Sequence, residues 1–226
     1  MLDAEKWWNQ VGIYNKAIFP MQIVILAVAF VLTYFLFAKP GPKTNNKMMK
    51  AYLSFTFAWN GIIFFLIFGK ELPGKFLGIP LFILLGILTA WDIFANKIQL
   101  KLPKTTWQKY LTHLLVLCSF LYPLIGYALG HYYPKACTFG VMPCPTTVFA
   151  LALLTAAIPT VDKKVFILLL LWALPAFGKC LGAMDLYEDC VLFWTGVYAL
   201  IMLIKNWKKI GKGLKNEKYT NQKVLG

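Results

Sequence analysis

Four cysteines at the ends of long apolar segments are the residues best suited to chemistry. They are Cys137, Cys144, Cys180 and Cys190. In an oxidising compartment these thiols could form two disulfides with three possible pairings, and a bridge between the two loops would join the neighbouring segments. Free thiols and a soft-metal site near His131 are the alternatives, although the spacing matches no standard zinc motif. The fifth cysteine, Cys118, lies inside an apolar segment and is expected to be a small packed residue.

Polar residues surround these cysteines and could bind an ion or a small ligand. They are His131, Thr138, Thr146, Thr147, Lys179, Asp185, Glu188 and Asp189. The i, i+3, i+4 spacing of Asp185, Glu188 and Asp189 would place three carboxylates on one helical face, where Lys179 could neutralise one. The group is either a cation-attracting vestibule or a solvated loop whose charges favour the N-terminus of the next helix.

Two further polar residues lie within apolar segments, where a charge or an amide needs a specific reason. Asn60 is central in FTFAWNGIIFF, and Asp92 lies five residues before Lys97. Either residue could line a pathway. Alternatively, Asn60 hydrogen-bonds a neighbouring helix and Asp92 pairs with a lysine of the adjoining loop.

The stretch TFGVMPCPTT, residues 138–147, predicts a rigid entry into a helix. Pro145 suits a first helical turn, and Pro143 keeps Met142 extended. Gly140 allows a tight turn, and the two following threonines could offer hydroxyls to free N–H groups of the first turn. The alternative is a loop that dips into the membrane, as at transporter sites.

The composition indicates which solvent these residues face. Of 226 residues, 59% are hydrophobic and 14% are charged, whereas soluble domains are about 45–50% apolar. All 23 basic residues are lysines, so bidentate guanidinium sites are absent and nucleic-acid binding is not expected. The sequence has no HExxH or phosphate-binding glycine loop and no mid-span lysine for retinal, and we expect no cofactor.

Segments of about 17–25 apolar residues can cross a bilayer as helices, and seven are predicted. They are Ala17–Ala38, Ala51–Gly69, Phe76–Ala95, Leu111–Gly130, Thr146–Val161, Val165–Gly178 and Leu186–Ile204. The expected fold class is therefore all-α, a polytopic integral membrane helix bundle. Residues 1–16 are expected to be an interfacial N-terminal segment, 17–204 a transmembrane domain and 205–226 a basic cytoplasmic tail.

The lysine distribution predicts the orientation. The first, third and fifth loops and the tail hold 17 of the 23 lysines, whereas the other side has six lysines and six acidic residues. Positive loops stay cytoplasmic, so the N-terminus is predicted outside and the C-terminus inside a prokaryotic plasma or inner membrane. The tail is expected to contact anionic lipid headgroups, and the sequence leaves homo-oligomerisation open.

The N-terminal segment is acidic at its start and does not have the pattern of a cleaved signal peptide. Its apolar residues could share one face of a short interfacial helix. These residues are Leu2, Trp7, Trp8, Val11 and Tyr14.

Three stretches, Tyr14–Gln22, Phe57–Phe68 and Tyr122–Leu154, resemble a family of bacterial multi-spanning membrane proteins catalogued only as a domain of unknown function. The most specific part is the string GHxYP … TFG … PCPTT. In that family the cysteine of Pro-Cys-Pro stands alone, and the additional Cys137, Cys180 and Cys190 depart from this pattern. The resemblance implies a small integral membrane protein without an established chemistry.

Three functions are compatible with these features. A channel or transporter for a small solute or ion agrees best with the intramembrane polar residues, the prolines within spans and the polar outer mouth. A non-transporting scaffold, sensor or assembly factor is the alternative. A membrane enzyme with thiol or metal chemistry at the outer face is the third.

Overall fold

The computed structural model describes residues 4–38, 43–70, 72, 74–182 and 185–210, and within these ranges the chain is helical and has no strand. The helices are α1 (Ala4–Ala17), α2 (Met21–Ala38), α3 (Lys43–Trp59), α4 (Lys75–Ala95), α5 (Thr106–Phe120), α6 (Tyr122–Ala128), α7 (Pro143–Ala157), α8 (Lys163–Ala173), α9 (Phe177–Cys180) and α10 (Asp189–Asn206). A π-helix, Asn60–Phe68, continues α3, and a 3₁₀ turn, Leu174–Ala176, separates α8 from α9. The predicted all-α class is confirmed.

Helix length and composition identify fewer membrane spans than the seven expected. In the described part of the chain, four helices qualify: α2, α3 with its π-helical continuation, α4 and α10. The pair α5–α6, bent by 66°, would make a fifth span. The expected fifth span is only the 15-residue α7, and α8 has 11 residues. A 15-residue helix rises about 22 Å, which is less than the hydrocarbon thickness of about 30 Å.

The short helix α7 lies at the centre of the bundle. Each of its 15 residues is buried. It packs mainly against α5 and α10, and also against α8 and α3. A helix enclosed on every side needs no polar face, so its sequence is uniformly apolar. The same pattern is typical of a lipid-facing span, and this explains why the sequence predicted one.

The lysine-rich loops meet one another at one end of the bundle. The side-chain amide of Asn46 donates to the carbonyl of Leu100 at 2.9 Å. Lys97 Nζ lies 3.3 Å from Asp162 Oδ2. These contacts join the start of α3, the α4–α5 loop and the start of α8. These three lysine-bearing regions therefore lie together at one end of the bundle.

Helix α1 covers the opposite end of the bundle. Trp7, Trp8, Val11 and Tyr14 are all buried, so the predicted apolar face exists, while Leu2 lies outside the described residues. This face packs against protein: the Trp7 ring meets a phenylalanine ring of the π-helix edge-on, and Tyr14 Oη donates to the carbonyl of Val141 at 2.7 Å. Helix α1 is therefore a lid over the loop that precedes α7.

Candidate functional site

Polar side chains from five parts of the chain, at helix ends, a helix bend and a loop, lie close together beneath α1. We call these residues the buried polar cluster: Tyr122, His131, Cys137, Cys144, Lys179, Glu188 and Asp189. They come from the bend between α5 and α6, the loop between α6 and α7, the N-termini of α7 and α10, and α9. Helix ends and bends expose backbone and side chains that a continuous apolar helix would cover.

Asp189 is the best-connected member of the cluster. Its Oδ2 lies 2.7 Å from Lys179 Nζ and accepts from the Cys144 thiol at 3.2 Å. Its Oδ1 accepts from the Tyr122 hydroxyl at 2.5 Å. The Asp189 side chain is fully buried, whereas Lys179 keeps 18% exposure. These three donors, of which Lys179 carries a full positive charge, compensate the carboxylate for its lost hydration.

A second acid–base pair lies beside the first. Glu188 Oε1 is 3.3 Å from His131 Nδ1, and the Glu188 side chain has 0% exposure. The His131 ring stacks on Trp8 with 3.7 Å between ring centroids. On its other side, His131 Nε2 is 3.6 Å from the exposed carboxylate of Asp185. The pKa of Glu188 lies above its ordinary value, mainly because of burial and in smaller part because of the charge of Asp189. The backbone N–H of Glu188 and the nearby His131 act in the opposite direction and lower the pKa.

The cysteines form one bridge and leave two buried thiols. Cys180 and Cys190 are joined by a disulfide, while Cys137 and Cys144 are free. The expected second bridge and the bridge between two loops are therefore absent from this structure, and the spacing of the cysteines does not select one pairing. Burial, followed by the charge of Glu188, raises the pKa of Cys137 well above its usual value, so this thiol is protonated.

The disulfide fastens the buried polar cluster directly. Cys180 follows Lys179 in the chain, and Cys190 follows Asp189. The covalent bond therefore holds α9 and the start of α10 at the distance that the Lys179–Asp189 ion pair requires. The expected neutralisation of one carboxylate by Lys179 is thus present.

The acidic trio does not occupy one helical face, contrary to expectation. Helix α10 begins at Asp189, and Asp185 lies outside it in a left-handed conformation with φ of 53°. Asp185 is exposed, whereas Glu188 and Asp189 are buried. The solvated-loop interpretation therefore holds for Asp185 alone, because Glu188 is buried beside His131 and Asp189 is buried against its three donors.

The loop before α7 penetrates the bundle. Thr138 to Met142 are all buried, and Gly140 turns with φ of 88°. A Cβ on Gly140 would lie 2.5 Å from Ile25 Cγ2 and 2.7 Å from Tyr52 Oη. The predicted helix entry is confirmed, because Met142 is extended and α7 starts at Pro143.

The two threonines after the Pro-Cys-Pro sequence act differently from the expectation. Thr147 Oγ1 donates to the carbonyl of Pro143 at 2.8 Å. Thr146 Oγ1 donates to the carbonyl of Met142 at 2.6 Å and accepts from the Gly140 N–H at 3.0 Å. Their hydroxyls therefore bind carbonyls one turn back, and Thr146 fixes the buried loop instead of capping α7.

Asn60 and Asp92 have distinct structural partners. Asn60 Nδ2 donates to the carbonyls of Thr56 and Gly140, at 2.7 and 3.3 Å, so the amide contacts the buried loop and not a neighbouring helix. Asp92 Oδ2 lies 2.9 Å from Lys50 Nζ, and the Asp92 carboxylate also accepts from the N–H groups of residues 97 and 98. Asp92 thus closes the end of α4 and pairs with a lysine, but the partner is the buried Lys50 of α3 and not a lysine of the adjoining loop.

Cavities beside the described residues lie elsewhere. One of about 690 Å³ is an apolar groove between α2 and α5, and one of about 480 Å³ lies at the lysine-rich end beside Lys101, Lys104 and Gln108. A third, of about 10 Å³, adjoins Lys50. Asn60 and Asp92 line none of these three. Within the described ranges, no group of three His, Cys, Asp or Glu side chains is placed to hold a metal ion.

Sequence reasoning missed two members of this arrangement. Tyr122 was treated as part of an apolar span, although its position before Pro123 marks the helix break that turns it inward. Trp8 was assigned to an interface, and its stacking on His131 depends on a contact between residues far apart in sequence. The proline was a usable signal for the first residue, whereas nothing local indicated the second.

The architecture is that of a helical bundle with four to five helices suited to a membrane and a charged cluster buried near one end. The chain belongs to the family of unknown function DUF6064, whose model matches residues 4–212. The expected membership of a family without known function is thereby confirmed. No curated protein and no solved structure matches the chain.

Proposed function

We propose that this chain is an integral membrane protein that transports a small solute or ion, as a channel or a carrier, through the buried polar cluster. The observation that carries this proposal is the convergence of interrupted helices on a buried ion pair. Helices α5–α6 bend at the cluster, α8–α9 break beside it, and α7 and α10 begin there. Ionisable residues at membrane depth, set among broken helices, are typical of transport sites.

The proposed topology has seven crossings in the plasma or inner membrane of a prokaryote, with the N-terminus outside. Helices α7 and α8–α9 would complete the crossings, with α7 lengthened by the buried loop before it. The Cys180–Cys190 disulfide supports an oxidising compartment at the α1 end, and the lysines at the other end support a cytoplasmic location there. Contact of the tail with anionic lipid belongs to the same proposal, but residues 211–226 lie outside the described residues.

The test is a flux screen of ions and small solutes in proteoliposomes. We expect wild-type flux for at least one solute and a large loss of that flux in Asp189→Asn. The matched control is Lys97→Gln, which alters an exposed ion pair at the other end of the bundle. Absence of flux for every solute, with protein that is inserted and carries its disulfide, would refute the proposal.

A non-transporting scaffold or sensor is the second candidate. It is favoured by the tight cover of α1, since Trp7 and Trp8 are only 7% and 5% exposed and the cluster is closed beneath them. The same flux screen separates the two, because a scaffold would retain its fold and disulfide and conduct nothing. Thiol chemistry is less well supported, since the Cys144 thiol donates a hydrogen bond to Asp189, which favours the thiol over the thiolate.

A further inference from the structure

The two carboxylates of the buried polar cluster are compensated to very different extents. Asp189 accepts from Lys179, Tyr122 and Cys144. Among the described side chains, the Glu188 carboxylate, with 0% exposure, faces the His131 imidazole at 3.3 Å without good hydrogen-bond geometry, and its own backbone N–H lies nearby. An ionised carboxylate buried beside a second carboxylate is costly unless it gains a positive charge. Glu188 and His131 therefore need one proton between them.

We propose that Glu188 and His131 form a buried proton-binding pair that takes up and releases one proton, and that this proton is an ion handled by the proposed transport site. Only the statement that the transport site handles this proton rests on the proposed function; the proton-binding pair does not. In the loaded pair the proton is bonded either to His131 Nδ1, facing the Glu188 carboxylate, or to Glu188 Oε1, facing a neutral imidazole. Transfer breaks one of these bonds as it forms the other, and release to water leaves Glu188 ionised.

A proton fits this site better than a metal cation does. Metal cations such as Na⁺, Ca²⁺ and Mg²⁺ need several converging oxygen ligands. Around Glu188 the nearest polar partner is a ring nitrogen, and Asp189 directs both of its oxygens to other donors. The described residues contain no three-ligand group suited to a metal. One carboxylate and one imidazole can exchange a proton without any further ligand.

Helix α1 covers one face of this pair. Trp8 stacks on His131, and Asn15 of the same helix fixes the loop that carries His131, since Asn15 Nδ2 donates to the carbonyls of Pro134 and Ala136 at 2.6 and 2.8 Å. His131 Nε2 lies 3.6 Å from the exposed carboxylate of Asp185. A proton can therefore reach water through Asp185, or past Trp8 where α1 moves aside.

Groups from every neighbouring element bear on the charge of the pair. They are Asp185 and Asp189 from the α9–α10 connection and the start of α10, Lys179 from α9, Cys137 from the loop before α7, and Cys144 and Tyr122 beyond Asp189. Lys179 is engaged by Asp189, and Asp185 is exposed to solvent. The pair is therefore left as the part of the cluster that changes its proton content.

The experiment is a pH titration of the full chain in lipid nanodiscs, followed by NMR of glutamate labelled with ¹³C at the side-chain carboxyl. The chain has only four glutamates, at positions 5, 71, 188 and 217, and Glu188→Gln assigns the signal. We expect Glu188 to remain protonated at pH values where glutamate is ordinarily ionised, above about 4.3. We also expect its midpoint to rise further in His131→Gln, because that variant removes a stabilising positive charge.

The two histidines of the chain supply a matched control. His113→Gln alters the exposed histidine on α5 and should leave the Glu188 midpoint unchanged. Should His131→Gln fail to fold, Asp189→Asn gives the opposite sign, since loss of that negative charge lowers the Glu188 midpoint. A wild-type Glu188 that titrates like an ordinary glutamate, or a midpoint unaffected by both variants, overturns the proton pair.

Proton flux is measured separately with a pH dye inside proteoliposomes. Flux that is lost in Glu188→Gln and kept in His113→Gln supports the pair as part of the transport route. If Glu188 titrates as expected while no solute or proton crosses, the proton pair stands and the transport proposal fails. Flux that is fully kept in Glu188→Gln refutes the role of this proton in transport.

Discussion

The Lys179–Asp189 ion pair offers a quantitative test of how the cluster is held. Lys179→Met would leave the fully buried Asp189 carboxylate without a countercharge, at a cost of about 3–5 kcal/mol. Asp189→Asn should cost less, on the order of 2 kcal/mol, because Lys179 keeps 18% exposure and its ammonium can turn to water. The double variant removes both charges and should lose only about 1–2 kcal/mol. The expected coupling energy is therefore about 3 kcal/mol or more.

The assay is reversible unfolding of the purified protein in mixed micelles, with each single variant and the double variant measured under one condition. The Lys97–Asp162 pair is the matched control, since Lys97 is 51% exposed and the atoms are 3.3 Å apart. Asp162 also accepts from the Lys164 N–H at the start of α8, but loss of that cap cancels in the cycle. We expect about 0–1 kcal/mol for this exposed pair. A Lys179–Asp189 coupling below about 0.5 kcal/mol would refute the reasoning.

Three further results are expected. Gly140→Ala should destabilise by more than Gly130→Ala in thermal unfolding, since both glycines have positive φ, of 88° and 97°, but only the first would place its Cβ against neighbouring atoms; equal losses would contradict the buried-loop packing. Cys180 and Cys190 should resist thiol labelling until a reductant is added, and replacing both by serine should cost about 2–4 kcal/mol; labelling without reductant would exclude the bridge. Because the raised pKa of Glu188 makes the folded state bind the extra proton, stability should fall as pH rises from about 4.3 through the folded midpoint, and Glu188→Gln should remove that slope; an unchanged slope would disprove this assignment.

The structure brings the start of α3, the α4–α5 loop and the start of α8 into contact, three of the regions that the lysine pattern assigned to one side of a membrane. Charge is a property of each loop by itself, so it can be read without knowing the packing. Whether α7 is enclosed by protein or faces lipid could not be predicted in the same way, because neither kind of helix needs a charged face. Length was the available signal, because the Pro-Cys-Pro entry leaves only 15 residues before the chain turns.

The sequence predicted most residues of the buried polar cluster but not the contacts among them. Lys179, Asp185, Glu188 and Asp189 were all candidates. The sequence did not distinguish the exposed Asp185 from the buried Glu188 and Asp189. That difference depends on contacts between residues far apart in sequence, such as Tyr122 with Asp189, which are 67 residues apart, and His131 with Glu188. The Cys180–Cys190 disulfide, by contrast, joins residues only 10 apart.

The contacts of α1 link the proton pair to the buried loop. Trp8 stacks on His131, while six residues later Tyr14 Oη donates to Val141 in the loop that Gly140 turns into the bundle. Both residues lie on one continuous 14-residue helix, so a tilt of α1 that uncovers His131 also strains the Tyr14–Val141 hydrogen bond. Exposure of the proton pair and the position of the buried loop are therefore mechanically coupled. A carrier needs such a coupling between ion occupancy and the path through its centre.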